Sequence, residues 1–553
     1  MFDERPWLKN YPSGVPANID AESFSGVVEL LETNAEKFGK KPAFTCMGAT
    51  ISFKDLDKKS TQFAAYLQSR GLEPGDRIAL MMPNLLQYPI AIFGSLKAGL
   101  VVVNTNPLYT PREMKHQFQC SGVKAILIAE NFAHNLEKVL PETEIKTVVI
   151  TKIGELLGFF KGAMVNAVVK YVKRMVPNYT IANTVMFSDA LSQGKKFTLK
   201  PFTHTPDTII LHQYTGGTTG LSKGAMLTNK NIIANVLQIR SCMEPFLTEG
   251  NEIALCPLPM YHSFAFTVNC CAMMSFGAHS ILIVNPRQLD TIVSAFKKYP
   301  ISLMTGVNTL FNALNNFKPM QELDFSNFKV CVAGGMALQS KVFHAWKEMT
   351  GVSISEGYGL TETSPVATVN PIDGSGIDGS IGLPVPSTVV KIVKEDGSDA
   401  GIEEEGEIYV KGPQVMKGYY NQPEETAKVL QDGWLITGDI GKMMDGGYFA
   451  IVDRKKDMIN VSGFNVYPNE IEDIIATHPK VLEVAVIGVP DDRSGEVVKA
   501  FVVRKDKNVS EKEIIAWASE GLTKYKIPRT IEFREELPKT NVGKILRRAL
   551  KEE

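Results

Sequence analysis

Tyr214-Thr-Gly-Gly-Thr-Thr-Gly-Leu-Ser-Lys-Gly224 lies near the middle of the chain, directly after the apolar run Thr208-Ile-Ile-Leu-His. Four glycines, three threonines and a lysine fall within these eleven residues. A strand emptying into such a loop offers unblocked backbone N–H groups, hydroxyl donors and one cation, which suits a polyphosphate. The spacing is not the Walker form: two residues separate Gly220 from Lys223, and no Ser or Thr follows the lysine. A Gly/Thr loop can also be a plain surface linker, but its position after a buried-looking strand favours phosphate binding.

Working outward, residues 25–200 alternate helical patterns with short apolar strands. The clearest are the helical stretches 53–71 and 87–99, with Arg77-Ile-Ala-Leu-Met-Met, Val101-Val-Val-Asn and Ala125-Ile-Leu-Ile between and after them. The rhythm continues from residue 208 to 360 and includes Lys329-Val-Cys-Val-Ala-Gly-Gly. It predicts α/β layers with largely parallel sheets. From Val389 the strands shorten, with turns at Glu395-Asp-Gly and Asp445-Gly-Gly, predicting a small β-rich subdomain. The charged cluster Asp453-Arg-Lys-Lys-Asp457 then interrupts the pattern before a compact α+β region. The expected division is a body over residues 1–453 and a small lid over 454–553.

At 553 residues the chain is too long for one core. With 44% hydrophobic and 22% charged residues it reads as an ordinary globular protein. A formal net charge of −1 excludes a nucleic-acid binder acting through bulk positive charge. Seven cysteines without C-x-x-C or Cys/His ligand spacing point to a reducing compartment and not to a metal site. The first residues lack the apolar core of a secretory signal, and no apolar run is long enough to span a bilayer, so a cytoplasmic location is expected. One segment bears on that reading. Residues 159–176, FFKGAMVNAVVKYVKRMV, place Phe160, Met164, Val168, Tyr171, Val172 and Met175 on one helical face, with Lys170 and Lys173 opposite and Arg174 on the flank. Periodicity alone favours a helix docked on the core by that face; a basic reverse side also suits an anionic membrane surface.

Three further stretches carry chemistry. In Glu356-Gly-Tyr-Gly-Leu-Thr-Glu-Thr363, Gly357 and Gly359 let the backbone approach a flat ring and Tyr358 can stack on it. Glu362 near a phosphate site makes sense with a cation between, and Mg²⁺ held by a carboxylate, phosphate oxygens and water meets that need. In Gly433-Trp-Leu-Ile-Thr-Gly-Asp439, an aspartate at a turn is a natural partner for two ribose hydroxyls, although T-G-D alone is a weak signal. Near the end, Leu537-Pro-Lys-Thr-Asn-Val-Gly-Lys-Ile545 reads, taken alone, as the start of a solvated basic tail.

Together these stretches resemble, in order, the signatures of the adenylate-forming superfamily of acyl-CoA synthetases, luciferases and peptide-synthetase adenylation domains. Its phosphate loop usually reads Y-T-S/G-G-T-T-G-x-P-K-G, and here Ser222 stands where proline is commoner. Met81-Met-Pro-Asn-Leu-Leu-Gln-Tyr-Pro, Asn104-Thr-Asn-Pro-Leu-Tyr-Thr-Pro-Arg-Glu, Gly306-Val-Asn-Thr-Leu-Phe-Asn-Ala-Leu and Val461-Ser-Gly-Phe-Asn-Val-Tyr-Pro-Asn-Glu are similar to the bacterial long-chain fatty-acid–CoA ligase branch, over nearly the whole chain.

The resemblance implies a two-step reaction of fatty acid, ATP and CoA. Thr215, Gly216, Gly217, Thr218, Thr219, Gly220 and Lys223 would hold phosphates, and Glu362 with Thr218 would hold Mg²⁺. Gly334 and Gly335 would form the adenine loop, with Glu356, Gly357, Tyr358, Gly359 and Thr361 also on the nucleotide. Asp439 would take the ribose, with Arg454 as a second nucleotide contact. Lys544 would be the catalytic lysine, joined as catalytic residues by Glu362 and Thr218, and Lys456 the lid hinge. Ser462, Gly463 and Phe464 would meet CoA; many relatives carry lysine at the position of Ser462. His262, Phe266, Gly306, Val307 and Leu310 would line the acyl pocket. The branch also implies peripheral attachment to the inner face of the cytoplasmic membrane, and dimers among relatives make a homodimer a further expectation. Other readings of the same residues are a ligase for medium-chain or aryl acids, an acyl-AMP ligase delivering to a carrier protein, and a non-catalytic carrier.

Overall fold

The computed structural model describes residues 5–215, 222–491, 493–540 and 543–552. Among them the strands form four sheets. The first has the order Gly418–Tyr419, Lys223–Thr228, Ile209–Thr215, Val101–Asn104, Arg77–Met81, Val123–Ala129, Thr147–Thr151 and Val185–Met186. From Ile209–Thr215 onward its neighbours run parallel. The second sheet has a parallel centre of Ile354–Gly359, Val330–Ala333, Leu303–Gly306, Ile253–Cys256, His279–Leu282 and Pro42–Cys46, with antiparallel strands at both edges. Parallel strands need crossovers, and helices such as Phe53–Ser69 and Gln87–Lys97 supply them. Every residue of Gln87–Lys97 is buried, as befits a helix that is apolar on nearly all sides. The parallel-layer expectation therefore holds, with boundaries close to those read from periodicity.

The β-rich subdomain is also present. Val389–Val393, Glu405–Lys411, Trp434–Met443, Leu430–Gln431 and Phe449–Arg454 make an all-antiparallel third sheet. Residues 455–457 form a turn, and the fourth sheet begins at Ile459–Val461. Its long hairpin, Val481–Asp491 with Gly495–Arg504, is flanked by the helices Pro468–Ala476 and Glu511–Gly521. This unit has its own core, built on Ile471, Ile475, Val484, Val486, Val502 and Ile514, separate from the core of the body.

The segment at 159–176 departs from the docked-helix expectation. Phe159–Ala167 is α-helical and Val168–Val172 is π-helical, and the apolar face points outward. Phe160 is 84% exposed, Met164 61%, Tyr171 71% and Val172 74%. The face that packs is the other one. Gly162 lies so close to Gly154 that a Cβ there would meet its carbonyl at 2.4 Å. Asn166 accepts from the Gly154 N–H at 2.7 Å, and Lys161 donates to the Met47 carbonyl. Among the described residues no helix is long and apolar enough to cross a membrane.

Candidate active site

The C-terminal ends of the central strands deliver the glycine loops to one place. Thr215 and Lys223 face each other across the antiparallel pair on either side of the Gly/Thr stretch. Gly216, Gly217, Thr218, Thr219 and Gly220 lie outside the described residues. Lys223 does not stand alone: it is ion-paired with Glu425 and lies 5.2 Å from the centre of the Tyr419 ring. Tyr419 belongs to the short strand paired with Lys223–Thr228, and its hydroxyl donates to Glu362 Oε1 at 2.6 Å. The lysine, the tyrosine and the carboxylate thus form one side of the site. Neither Tyr419 nor Glu425 carried a local sequence signal, because their partners Glu362 and Lys223 are 57 and 202 residues away.

Glu362 sits in the turn Thr361–Thr363, and the Met416 N–H bonds to its carbonyl at 2.8 Å. Its Oε2 has no hydrogen-bond partner among the described residues. A single open carboxylate oxygen, linked through Tyr419 to Lys223, fits Mg²⁺, which takes one or two carboxylates and draws its other ligands from phosphate and water.

On the other side, Asp439 is almost fully buried. Its Oδ1 accepts from Arg454 Nε at 2.7 Å and its Oδ2 from the Tyr358 hydroxyl at 2.7 Å. The strand pair Trp434–Met443 and Phe449–Arg454 sets this geometry by placing Asp439 opposite Arg454. Tyr358 is therefore an anchor for the carboxylate as well as a wall. Each carboxylate oxygen can still accept a further hydrogen bond.

Beside Tyr358 and Thr361 opens a cavity of about 140 Å³. Gly334, Gly335, Gly357, Gly359, Thr361, His262 and Lys544 are in its wall. Gly335 has φ +84, and a Cβ there would sit 3.4 Å from Lys544 Cε and 3.8 Å from its Nζ. The lysine reaches in because its loop is tied down on the body side. Thr309 Oγ1 donates to the Gly543 carbonyl at 3.0 Å. Inside the loop, the Lys544 N–H bonds Thr540 Oγ1 at 3.0 Å and the Thr540 N–H bonds the Lys544 carbonyl at 2.7 Å. Burial and the Arg454 charge lower the Lys544 pKa to about 8, against the pull of Asp439 and Glu362. Burial and then the Lys544 charge push His262 down to about 3, so its imidazole is neutral at physiological pH.

The rest of the cavity wall is apolar and differs from the expected acyl pocket. Phe264 and Val268 line it, whereas Phe266 does not. The segment Ala265–Ala272 is a π-helix, so its faces do not follow the spacing of an α-helix. Gly306, Val307 and Leu310 are also absent from the wall. A Cβ on Gly306 would meet the Phe311 ring at 2.5 Å, and Val307 lies against lid residue Gly543. Leu310 belongs to the body core. Glu356 is another departure. Its carboxyl stays off the cavity, near the Leu338 backbone, and burial raises its pKa to about 8.

Lys456 is exposed in the turn 455–457. Ser462 and Gly463, with φ +53 and +86, make the tip of the hairpin Ile459–Val461/Phe464–Val466. Phe464 is 55% exposed and stacks on Tyr525 at 4.7 Å. With Lys544 inserted, this hairpin is outside the cavity. Arg547, three residues past Lys544, was not singled out by sequence. Its guanidinium lies 3.5 Å from Asp453, 3.4 Å from Asp457 and 2.8 Å from Glu472, tying the turn 455–457 to the strand before it and the helix Pro468–Ala476 after it.

A large body whose strand ends bear glycine loops, covered by a small α+β unit that inserts one lysine, is the architecture of an enzyme that activates acids with a nucleotide. Comparison with known proteins agrees. Residues 31–420 match the AMP-binding enzyme family and residues 470–544 its C-terminal domain, and the chain belongs to that family. It is 51% identical to the long-chain-fatty-acid–CoA ligase of Yersinia pestis, over 100% of this chain and 98% of that protein. The Salmonella typhimurium long-chain-fatty-acid–CoA ligase is likewise 51% identical, with the same coverage. Among solved structures, the anthranilate CoA ligase AuaEII in complex with anthranoyl-AMP superposes with a TM-score of 0.86, covering 96% of this chain and 98% of that one. At 24% identity that likeness is one of fold.

Proposed function

We propose that the chain is an ATP-dependent long-chain fatty-acid–CoA ligase. The observation that carries this reading is Lys544 in the wall of an apolar cavity, within electrostatic reach of Arg454, Asp439 and Glu362. A carboxylate is a poor electrophile, because its charge repels nucleophiles and oxide is not a viable leaving group. In the first step its oxygen attacks the α-phosphorus of ATP, the bond to the bridging oxygen breaks, and pyrophosphate leaves. In the second, the CoA sulfur attacks the acyl carbon and AMP leaves with the bonding pair.

Both steps depend on positioning and charge neutralisation. Lys223 and the loop from Thr215 to Gly220 hold the β- and γ-phosphates. Glu362, with Thr218, would hold Mg²⁺, which supplies charge neutralisation on the phosphates. Asp439 and Arg454 fix the ribose, and Gly334 and Gly335 leave room for the adenine. Lys544 lies across the acyl carboxylate and the α-phosphate, with neutral His262 beside it. The body ends at residue 453 and the lid turns about Lys456, withdrawing Lys544 and bringing Ser462, Gly463 and Phe464 to the site for CoA. Acids from C2 to C18 supplied with ATP, Mg²⁺ and CoA test the assignment by AMP formation: turnover should rise toward long chains. A maximum on aryl or short acids, or no AMP at all, overturns it.

The segment 159–176 docks on the inner face of the membrane in this reading. Its supports are the outward apolar face and the exposed Lys170, Lys173 and Arg174 beside it. Reversing those three to glutamate should lower sedimentation with anionic vesicles, by about 1 kcal/mol per basic contact, and spare activity on a soluble shorter acid. Unchanged vesicle binding refutes the docking.

A further inference from the structure

The cavity has two recognisable ends. Lys544, His262, Gly334 and Gly335 mark one, where the carboxylate is activated. From there the wall follows the strands backwards, from Thr305 to Leu303 and from Ala333 to Val330. At about 3.3 Å per residue this is a descent of roughly 10 Å along the sheet. The far wall includes Cys242, Val369, Ile372 and Val385.

Those four residues also wall a second, smaller cavity of about 20 Å³. The rest of that chamber includes Tyr11, Val15 and Phe246. Its floor is pinned: the Tyr11 hydroxyl donates to the Pro384 carbonyl, and the Val15 N–H turns back onto the Pro12 carbonyl at 3.0 Å. The partition itself is built differently. Cys242 stands in the last turn of the helix Asn229–Met243, and its companions are a β-branched isoleucine and two valines. Burial pushes the Cys242 thiol up to about 12, so it stays an uncharged, polarizable wall atom.

Volume makes the partition matter. At 10–15 Å³ per water-sized body, the main cavity holds on the order of ten such bodies, part of them on the nucleotide side. An acyl chain much beyond ten carbons has to leave it. Past Cys242 the structure offers an apolar continuation that, by the same measure, holds about one or two further such bodies in this pose.

We propose that the second cavity receives the methyl end of long acyl chains, and that Cys242, with Ile372 and Val385, is the threshold that sets the chain-length range. The proposal rests on the ligase reading and adds its specificity determinant. Each methylene denied an apolar pocket loses about fourfold in affinity.

The test measures kcat/KM for AMP formation on C8, C12, C16 and C18 acids in the parent, Cys242→Phe and Ile372→Phe. In both variants the C16 and C18 values should fall at least about tenfold relative to C8, with C8 itself little changed. Tyr11→Ala, which removes the floor, should instead favour C18 over C16. A Cys242→Leu variant covers the case in which phenylalanine prevents folding, and thermal unfolding reports it; leucine should lower the C18:C8 ratio in the same direction. If the profile across chain length is unchanged in folded variants, or if C8 and C18 fall equally, the threshold is wrong. A parent that makes no AMP from any of these acids would instead refute the ligase reading.

Discussion

The lid is held together in one way and held to the body in another. Inside the lid, Ile471, Ile475, Val484, Val486, Val502 and Ile514 are buried against one another, as in any domain core. Across the lid–body boundary the described hydrogen bonds are scattered polar contacts. Asn312 donates to the Leu482 carbonyl at 2.9 Å, the Ser340 N–H to Asp473 at 3.1 Å and Lys505 to Asn316 at 2.7 Å. The most concentrated contact is Lys341. Its ammonium donates to the carbonyls of Ala476 at 3.0 Å, His478 at 3.3 Å and Val481 at 3.3 Å. That cation caps the C-terminal end of the helix Pro468–Ala476, where the helix dipole favours it. Apolar cores resist exchange because every partner atom must be replaced at once. Isolated hydrogen bonds can be traded for water at about 1 kcal/mol each. The contrast describes a rigid unit on a releasable mount.

The sharpest break in this picture is on the body side. Glu362→Ala removes the carboxylate proposed to hold Mg²⁺, and both pyrophosphate release and thioester formation should be lost; parent-like rates at ordinary Mg²⁺ contradict the role. Next comes the mount. Lys341→Ala removes charge-assisted bonds worth about 1.5–3 kcal/mol, so the lid should occupy the pose seen here less often. Adenylation should slow by roughly ten- to a hundredfold, with thioester formation from supplied acyl-AMP spared. An equal loss in both half-reactions would mean that Lys341 supports the fold and not the pose.

A smaller effect sharpens the comparison through pH. Lys544 titrates near 8 in the closed enzyme, well below the ordinary lysine value of 10.5. Its charge is therefore present below that pH and lost as pH rises through it. The kcat/KM of adenylation, which reports the free enzyme, should fall above pH 8 by up to about tenfold per unit. Lys544→Arg should move that limb upward, whereas a limb that stays put belongs to another group. His262, neutral above about pH 3, contributes nothing in this range.

How much of this was legible beforehand follows from how local each signal is. The strand Ile209–Thr215, the helix Gln87–Lys97 and the antiparallel subdomain are written in contiguous residues, and periodicity or turn chemistry finds them. Asp439 and Arg454 are also close in sequence and meet as register partners. Phe266 and Gly306 lie off the cavity wall for two physical reasons. The π-helix Ala265–Ala272 turns its faces away from the α-helical pattern, and the Phe311 ring fills the space beside Gly306. Tyr419, Glu425 and Lys341 were invisible because each acts across an interface between elements distant in the chain. The outward face of residues 159–176 was misjudged because amphipathic spacing does not say which side packs; the close approach of Gly154 and Gly162 decides it.

The central claim is that one lid serves two chemistries by presenting Lys544 in only one of them, and separate assay of the two half-reactions tests it most directly. Lys544→Ala should lose adenylation by about 10²–10³, the cost of removing one preorganised electrostatic donor. Given synthetic acyl-AMP, that variant should make acyl-CoA at close to the parent rate. Lys456→Pro, which fixes φ where the turn 455–457 must change it, should show the reverse pattern. If both variants slow both half-reactions to the same degree, the two-pose account is contradicted and Lys544 is a structural residue of the lid.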